Sequence, residues 1–526
     1  MTPRRRVRGS EGAGSAWVGR GLAGALWLLG TASQSMAQGT PMALTLNPPV
    51  TVAGGLIAGT QEGDSLVYRG IPYAAPPVGP LRWRPPQPVP PWKGVRPATQ
   101  FGANCLQPAN PRDNGIGPGP ASEDCLTLNV WAPAARGDDK RPVMVWIHGG
   151  SFTGGSASAA LYDGQALARR GVVVVTLNYR LGRFGFFAHP ALNSDAAGAP
   201  VANYGLMDMV AALRWLQQHI ASMGGDLGKV TLFGQSAGGV AVQHLMLAPA
   251  ARGLFAQAIV QSGRGMEAVM PLAQAQTQGL AFMDALAPGA QDATALREIP
   301  AERIAAVPAP SSYEGFGPMP DGQFVRTPVW EGFSRGEQAR VPLIVGFNSH
   351  EVPGAFLGDT SRLDRSMGLN PAVREAAVAA YGGDAGFKDR AYGDHFYAAP
   401  ALKIAQTHAA TGAPTYVYRF DFVSAAMRAR LKGAPHASDR QYAFGTLVAS
   451  PWAIDAQDQA VVRVMGDLWA AFARSAQPAQ ADRWPAFSPG SRVLDIGSAL
   501  PEVRALRDVT PPMLSVAGAY RSEPAK

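Results

Sequence analysis

Apolar residues in this chain fall into two patterns that take turns along its length. Short apolar runs occur at Val143–Ile147, Val172–Leu177, Val230–Phe233, Ala258–Gln261, Val341–Phe347 and Thr415–Phe422. Each is bounded by turn residues and reads as a buried strand. Between them the spacing turns helical. Met209, Leu213, Leu216 and Ile220 line one face of a helix that Asn203 can cap and Gly224-Gly225 can end. Ala237 to Ala248 reads as a second helix, stopped by Pro249. Strands alternating with helices predict an α/β fold, a largely parallel sheet covered on both faces. The less regular stretches, roughly 265–340 and 352–410, read as insertions on that sheet.

Composition narrows the class. Of 526 residues, 47% are hydrophobic and only 2 are cysteine. That permits a large core and excludes a disulfide-dense scaffold. The formal charge of +8 raises the question of a nucleic-acid partner. Its placement answers it. Residues 1–37 carry Arg4, Arg5, Arg6, Arg8 and Arg20, an apolar run Gly21–Ala32, and a small-x-small site at Ser35-Met36-Ala37. This is the pattern of an export signal, with an uncleaved anchor or a misplaced start as the alternatives. Cleavage after Ala37 leaves a single domain, residues 38–526, and lowers the charge from +8 to +4. No run of five like charges occurs elsewhere, so nucleic acid is not expected as a partner. Export to a secreted or periplasmic location makes a Cys105–Cys125 disulfide reasonable. The apolar run is too short to span a membrane, which takes about 20 residues.

Gly234-Gln235-Ser236-Ala237-Gly238 is the chain's Gly-x-Ser-x-Gly. The pattern alone is weak, but it lies between a strand and a helix, where its mechanism requires it. A serine on such a turn projects above the sheet, and the glycines let neighbouring backbone approach. The competing reading is an ordinary turn with a capping serine. His148-Gly149-Gly150-Ser151-Phe152 follows another strand. It offers backbone N–H groups for a developing oxyanion, with Gly150, Ser151 and Ala237 as the candidate donors. Phe152, Gln235 and Phe316 are candidate pocket residues, core packing being the alternative role for the two phenylalanines.

A serine nucleophile needs a base and an acid, in the chain order Ser, acid, His. His244, His350, His395, His408 and His436 follow Ser236. His436 sits in a loop after a strand, where an imidazole can reach the sheet edge, and His350 is a rival. Glu351 closely follows the strand Val341–Phe347, and strand C-termini are where open α/β sheets place their sites. Asp394, Asp421 and Asp439 remain open as alternative acids.

Taken together, these motifs resemble the type B carboxylesterase family of α/β-hydrolases, which includes the cholinesterases. The resemblance runs from about residue 50 to about residue 490. It includes the segment Tyr68–Trp83, Glu123-Asp-Cys125 with its continuation to Val130, Asn178-Tyr-Arg180, Gly224-Gly-Asp226, Gly346–Glu351 and Gly433-Ala-Pro-His436. It implies Glu351 as the acid, His436 as the base and pairing of Cys105 with Cys125. Two departures argue against a choline ester. Gln235 stands where the family often has Glu, and residues 106–124 hold no aromatic side chain to attract a quaternary ammonium. Val352 also stands where the family often has Gly.

The expected activity is a secreted serine carboxylesterase acting on a small-molecule ester, with neither metal nor organic cofactor. Another acyl-transfer enzyme on the same fold (amidase, lactonase or transacylase) shares these motifs. A catalytically silent adhesion or binding relative is the third reading. Oligomeric state is not encoded in any pattern found here.

Overall fold

The computed structural model of the chain describes residues 46–520 except 109–114, 136–139, 197, 199–200, 268, 290–291, 308–315, 355–359, 479–483, 489–491 and 498–501. The expected export segment, residues 1–37, lies outside the described residues.

The central sheet contains β1 (Thr60–Glu62), β2 (Ser65–Pro72), β3 (Thr127–Pro133), β4 (Arg141–Ile147), β5 (Val173–Leu177) and β6 (Gly225–Gln235). It continues with β7 (Gln257–Gln261), β8 (Leu343–Asn348), β9 (Thr415–Phe420), β10 (Arg492–Ile496) and β11 (Glu502–Ala505). Among the described residues these 11 strands pair in the order β11-β10-β9-β8-β7-β6-β4-β5-β3-β2-β1. Every pairing from β5 across to β10 is parallel, and the edges are antiparallel.

Alternation along each strand explains why the apolar runs are continuous. Val143, Val145 and Ile147 point to one core with Val175, Leu232, Val260 and Val345. Met144 and Trp146 point to the other with Val174, Phe233, Ile259 and Tyr418. Helices α1 (Tyr204–His219) and α2 (Ala237–Leu247) cover the first face through Met209, Leu213, Leu216 and Leu245. The two insertion regions contribute α3 (Leu272–Leu286), α4 (Pro371–Ala380), α5 (Asp384–Gly393) and α6 (Ala399–Ala409). Ile404 of α6 joins the same core, so the second irregular stretch ends in a helix packed on the sheet. Helix α7 (Ala456–Ser475) covers the second face with Val461, Met465, Leu468, Trp469 and Phe472. Full burial of one such side chain stabilises by about 1.5–3 kcal/mol. A capping box between Asp455 and Asp458 starts α7. Among the described residues no helix is long and apolar enough to cross a membrane.

Asn203 does not cap α1 as expected. Its side-chain amide donates to Met319 O and Asp321 Oδ2 at 2.8 and 2.9 Å and accepts from Met319 N. The residue is fully buried, so its amide is satisfied across the fold and pins the first insertion to the helix start. Gly224 does close the helical stretch, at φ 89°. Arg82 of the Tyr68–Trp83 segment pairs with Glu123 at 2.6 Å, and Arg180 pairs with Asp208 of α1 at 2.7 Å. The arrangement is the α/β-hydrolase fold.

The order of strands also fixes where a site can form. From β4 the chain moves to β5 on one side, then returns to β6 on the other. The crevice outside the strand ends at such a reversal is the usual ligand position. Ile147 and Gln235 end the two strands that flank it.

Candidate active site

Ser236 sits between β6 and α2 with φ 57° and ψ −124°, a left-handed backbone that a non-glycine residue rarely adopts. Its side chain makes no capping bond to α2, which removes the reading of Ser236 as an ordinary helix cap. The turn is held from both sides, with Ser236 N donating to Gln261 O at 2.9 Å and Val240 N donating to Ser236 O at 3.0 Å. The neighbouring glycines are required by contact. A Cβ on Gly238 would lie 2.0 Å from Ile147 O, and one on Gly234 would lie 2.5 Å from Gly238 O. One on Gly149 would lie 3.1 Å from Ser236 Cβ, so the loop after β4 packs directly on the turn.

That loop has Gly150 at φ 111° and Ser151 at φ 55°. Among the described residues, the backbone N–H groups of Gly150, Ser151 and Ala237 have no protein acceptor. Tyr179 steadies the loop by donating to His148 O at 2.8 Å and stacking on the His148 ring. Burial pushes the Tyr179 phenol up, so it remains a donor.

Glu351 and His436 are brought together. Glu351 Oε2 lies 2.6 Å from His436 Nδ1, and Glu351 is 4% exposed. The other carboxylate oxygen accepts from Ser262 Oγ and from Asn348 N, both at 2.6 Å. On the far side of the ring, His436 Nε2 faces Gln235 Nε2 at 3.2 Å. Among the described residues no hydrogen bond joins Ser236 Oγ to His436, so the imidazole rests against the neighbour of Ser236.

The alternative acids go elsewhere. Asp394 binds the Tyr381 hydroxyl, Asp421 pairs with Arg419, and Asp439 binds Gln261 and Tyr418. Burial pushes the Asp439 carboxyl up. The other histidines are also occupied or remote. His350 pairs with Asp389, His408 bonds to Val341 O, His395 stacks on Tyr520, and His244 lies in the last turn of α2. Phe152 is buried, its ring 5.0 Å from Phe186, and Phe316 is half-buried beneath the Arg183 guanidinium. Cys105 and Cys125 form a disulfide. Among the described residues no cluster of three or more His, Cys, Asp or Glu is placed to hold a metal ion.

Ser262 and Asn348 were not singled out from the sequence. Both stand at the C-terminal ends of parallel strands, β7 and β8, and that position was the available signal. Asn348 also donates to Pro435 O at 2.6 Å, tying the strand end to the loop that carries His436.

Comparison with known proteins places the chain in a family. The carboxylesterase family model matches residues 47–365 and 387–506. The chain is 34% identical to fumonisin B1 esterase of Sphingopyxis macrogoltabida, covering 93% of this chain and 95% of that protein. It is 33% identical to para-nitrobenzyl esterase of Bacillus subtilis, covering 84% of this chain and 93% of that protein. A solved PNB esterase structure superposes with a TM-score of 0.78 at 31% identity, covering 88% of this chain and 99% of that one. The fold, the family match and these relatives make the chain a carboxylic ester hydrolase acting on small-molecule esters, and it belongs to the carboxylesterase family.

Proposed function

We propose that the chain hydrolyses carboxylic esters through an acyl-enzyme on Ser236, with His436 as the base and Glu351 as the acid behind it. The observation that carries the reading is the 2.6 Å contact of Glu351 Oε2 with His436 Nδ1, with the opposite ring nitrogen beside the neighbour of Ser236. Donating Nδ1–H to Glu351 leaves Nε2 as an acceptor. A substrate entering above Ser236 displaces the Gln235 amide, and Nε2 then takes the Ser236 proton as Oγ attacks the ester carbon. The amides of Gly150, Ser151 and Ala237 receive the oxyanion. His436 returns the proton to the leaving alcohol, and water repeats the cycle on the acyl-enzyme.

Ser236→Ala tests this. Hydrolysis of p-nitrophenyl acetate is expected to fall by more than about 10³-fold. Retained turnover would sink the assignment. p-Nitrobenzyl esters and fumonisin B1 belong in the substrate panel, because two relatives are named for them.

Residues 1–37 are proposed to direct export, placing the mature enzyme in the periplasm or outside the cell. The Cys105–Cys125 disulfide supports this, since such bonds persist in oxidising compartments. Cell fractionation with N-terminal sequencing is expected to find a mature chain beginning at Gln38. A cytosolic chain beginning at Met1 would contradict it.

A further inference from the structure

We infer that Tyr397 is a positioning residue that stabilises the protonated form of His436 through its ring face. The inference rests on the proposed role of His436. The two ring centroids lie 4.6 Å apart with planes inclined at 46°. Tyr397 is 2% exposed, so water does not compete for that face. The contact couples to chemistry because, in the proposed cycle, His436 becomes a cation when it takes the Ser236 proton. An aromatic face attracts that cation and leaves the neutral ring nearly unaffected.

The backbone that carries Tyr397 is itself unusual. Residues Asp394–Ala398 form a π-helical turn between α5 and α6. Such a turn inserts one extra residue, which rotates the following side chains by roughly 100° about the axis. Three contacts hold it. The Tyr381 hydroxyl donates to Asp394 Oδ2 at 2.7 Å, the His395 ring stacks on Tyr520 at 4.8 Å, and the Tyr520 hydroxyl donates to His395 O at 3.3 Å. Phe387, Phe396, Tyr397 and Met513 belong to a third core cluster, separate from the two that cover the sheet. Gly393, the last residue of α5 before the turn, packs on Glu351, since a Cβ there would lie 3.1 Å from Glu351 Cβ.

Charged groups around His436 come from several elements. Glu351 faces Nδ1, and Gln235 on Nε2 is neutral. Arg264 stands 6.0 Å from the Tyr397 ring and pairs with Glu267 at 3.4 Å. The loop before Glu351 carries His350, which meets Asp389, and Asp389 also pairs with Lys432. Asp394 lies on the π turn, and Asp439 and Arg440 follow on His436's own loop. A change confined to the Tyr397 ring leaves all of these in place, so its effect isolates the ring.

The test compares Tyr397→Phe, Tyr397→Leu and replacement of Tyr397 by pentafluorophenylalanine, which keeps the shape and reverses the sign of the ring face. Rates are divided by active sites titrated with a fluorophosphonate, and kcat/KM is followed against pH. Tyr397→Phe is expected to stay within about twofold of the parent. The other two are expected to lose roughly tenfold in kcat and to move the acid limb of kcat/KM to lower pH. A purely structural role predicts the opposite shift for Tyr397→Leu, because admitted water favours the imidazolium. An acid limb that stays or rises overturns the inference, as does full activity of the fluorinated enzyme. If Tyr397→Leu does not fold, the fluorinated enzyme decides alone. His436→Ala separates the two readings. Its full activity would overturn the base assignment, whereas its inactivity with an unchanged fluorinated enzyme would overturn only the role of Tyr397.

Discussion

Glu351 and His436 are joined twice, side chain to side chain at 2.6 Å and by the His436 backbone N–H donating to Glu351 O at 2.7 Å. Glu351 therefore holds both the ring and the loop that presents it. Glu351→Gln keeps the shape but removes the charge that stabilises the imidazolium, and turnover is expected to fall by about 10³–10⁴-fold. Ser262→Ala removes one donor to the opposite oxygen and is expected to cost roughly tenfold. Initial rates on p-nitrophenyl acetate check both, and equal losses for the two variants would contradict the distinction.

Gln235 places its side-chain amide against His436 Nε2, at 3.2 Å. Gln235→Glu would put a carboxylate there and favour the imidazolium before any substrate binds. The acid limb of kcat/KM is expected to rise by about 1 pH unit, with the sign set by the added negative charge. A profile superimposable on the parent would show that the amide contact is absent in solution.

Gly238 lets the turn that carries Ser236 lie against the end of β4. A methyl group there would sit 2.0 Å from Ile147 O and 2.9 Å from His148 O, both fixed backbone atoms. Gly238→Ala is expected to destabilise by about 3 kcal/mol or more and to lower kcat by over tenfold. Urea unfolding and the rate per titrated site measure the two effects separately.

The strands and the tight turn at Ser236 were legible because their signals are local. An apolar run such as Val143–Ile147, or glycines around Ser236, can be read within a few residues. The partner of His436 was named as Glu351 by the resemblance and not by local signals, because the choice among Glu351, Asp394, Asp421 and Asp439 depends on which strand end faces His436. Periodicity does not order strands in a sheet. Ser262 and Glu351 are 89 residues apart, and Asn203 and Met319 are 116 apart. Such pairs are set by packing, which is why a cap was read at Asn203 and Ser262 was passed over. The π turn that presents Tyr397 is an insertion within a helix and leaves no mark in hydrophobic spacing.

Cys105 and Cys125 close a loop of sequence separation 20. Constraining the unfolded chain over that length stabilises by roughly 3 kcal/mol in the entropy model. The double variant Cys105→Ser, Cys125→Ser is expected to lose about that much in urea unfolding. A reducing agent should destabilise the parent by a similar amount and leave the double variant unchanged. Equal sensitivity of both to reduction would contradict the bond as the source.

His244 gives a stability test independent of catalysis. It is 4% exposed in the last turn of α2, and burial lowers it to about 4 from 6.5. The unfolded chain therefore binds the proton more readily than the folded one between those two values. The His244 contribution is fully present above pH 6.5 and is lost as pH falls towards 4. His395, lowered to about 4 mainly by burial, acts in the same direction. Asp394 opposes them. Burial raises it to about 6, so its folded form gains a proton, and stability, as pH falls through that value. Comparing the parent with His244→Leu cancels the other two groups. The parent is expected to lose about 2 kcal/mol more than His244→Leu between pH 7 and pH 5 in urea unfolding. Parallel pH dependence in the two proteins would mean that His244 is already hydrated in the fold.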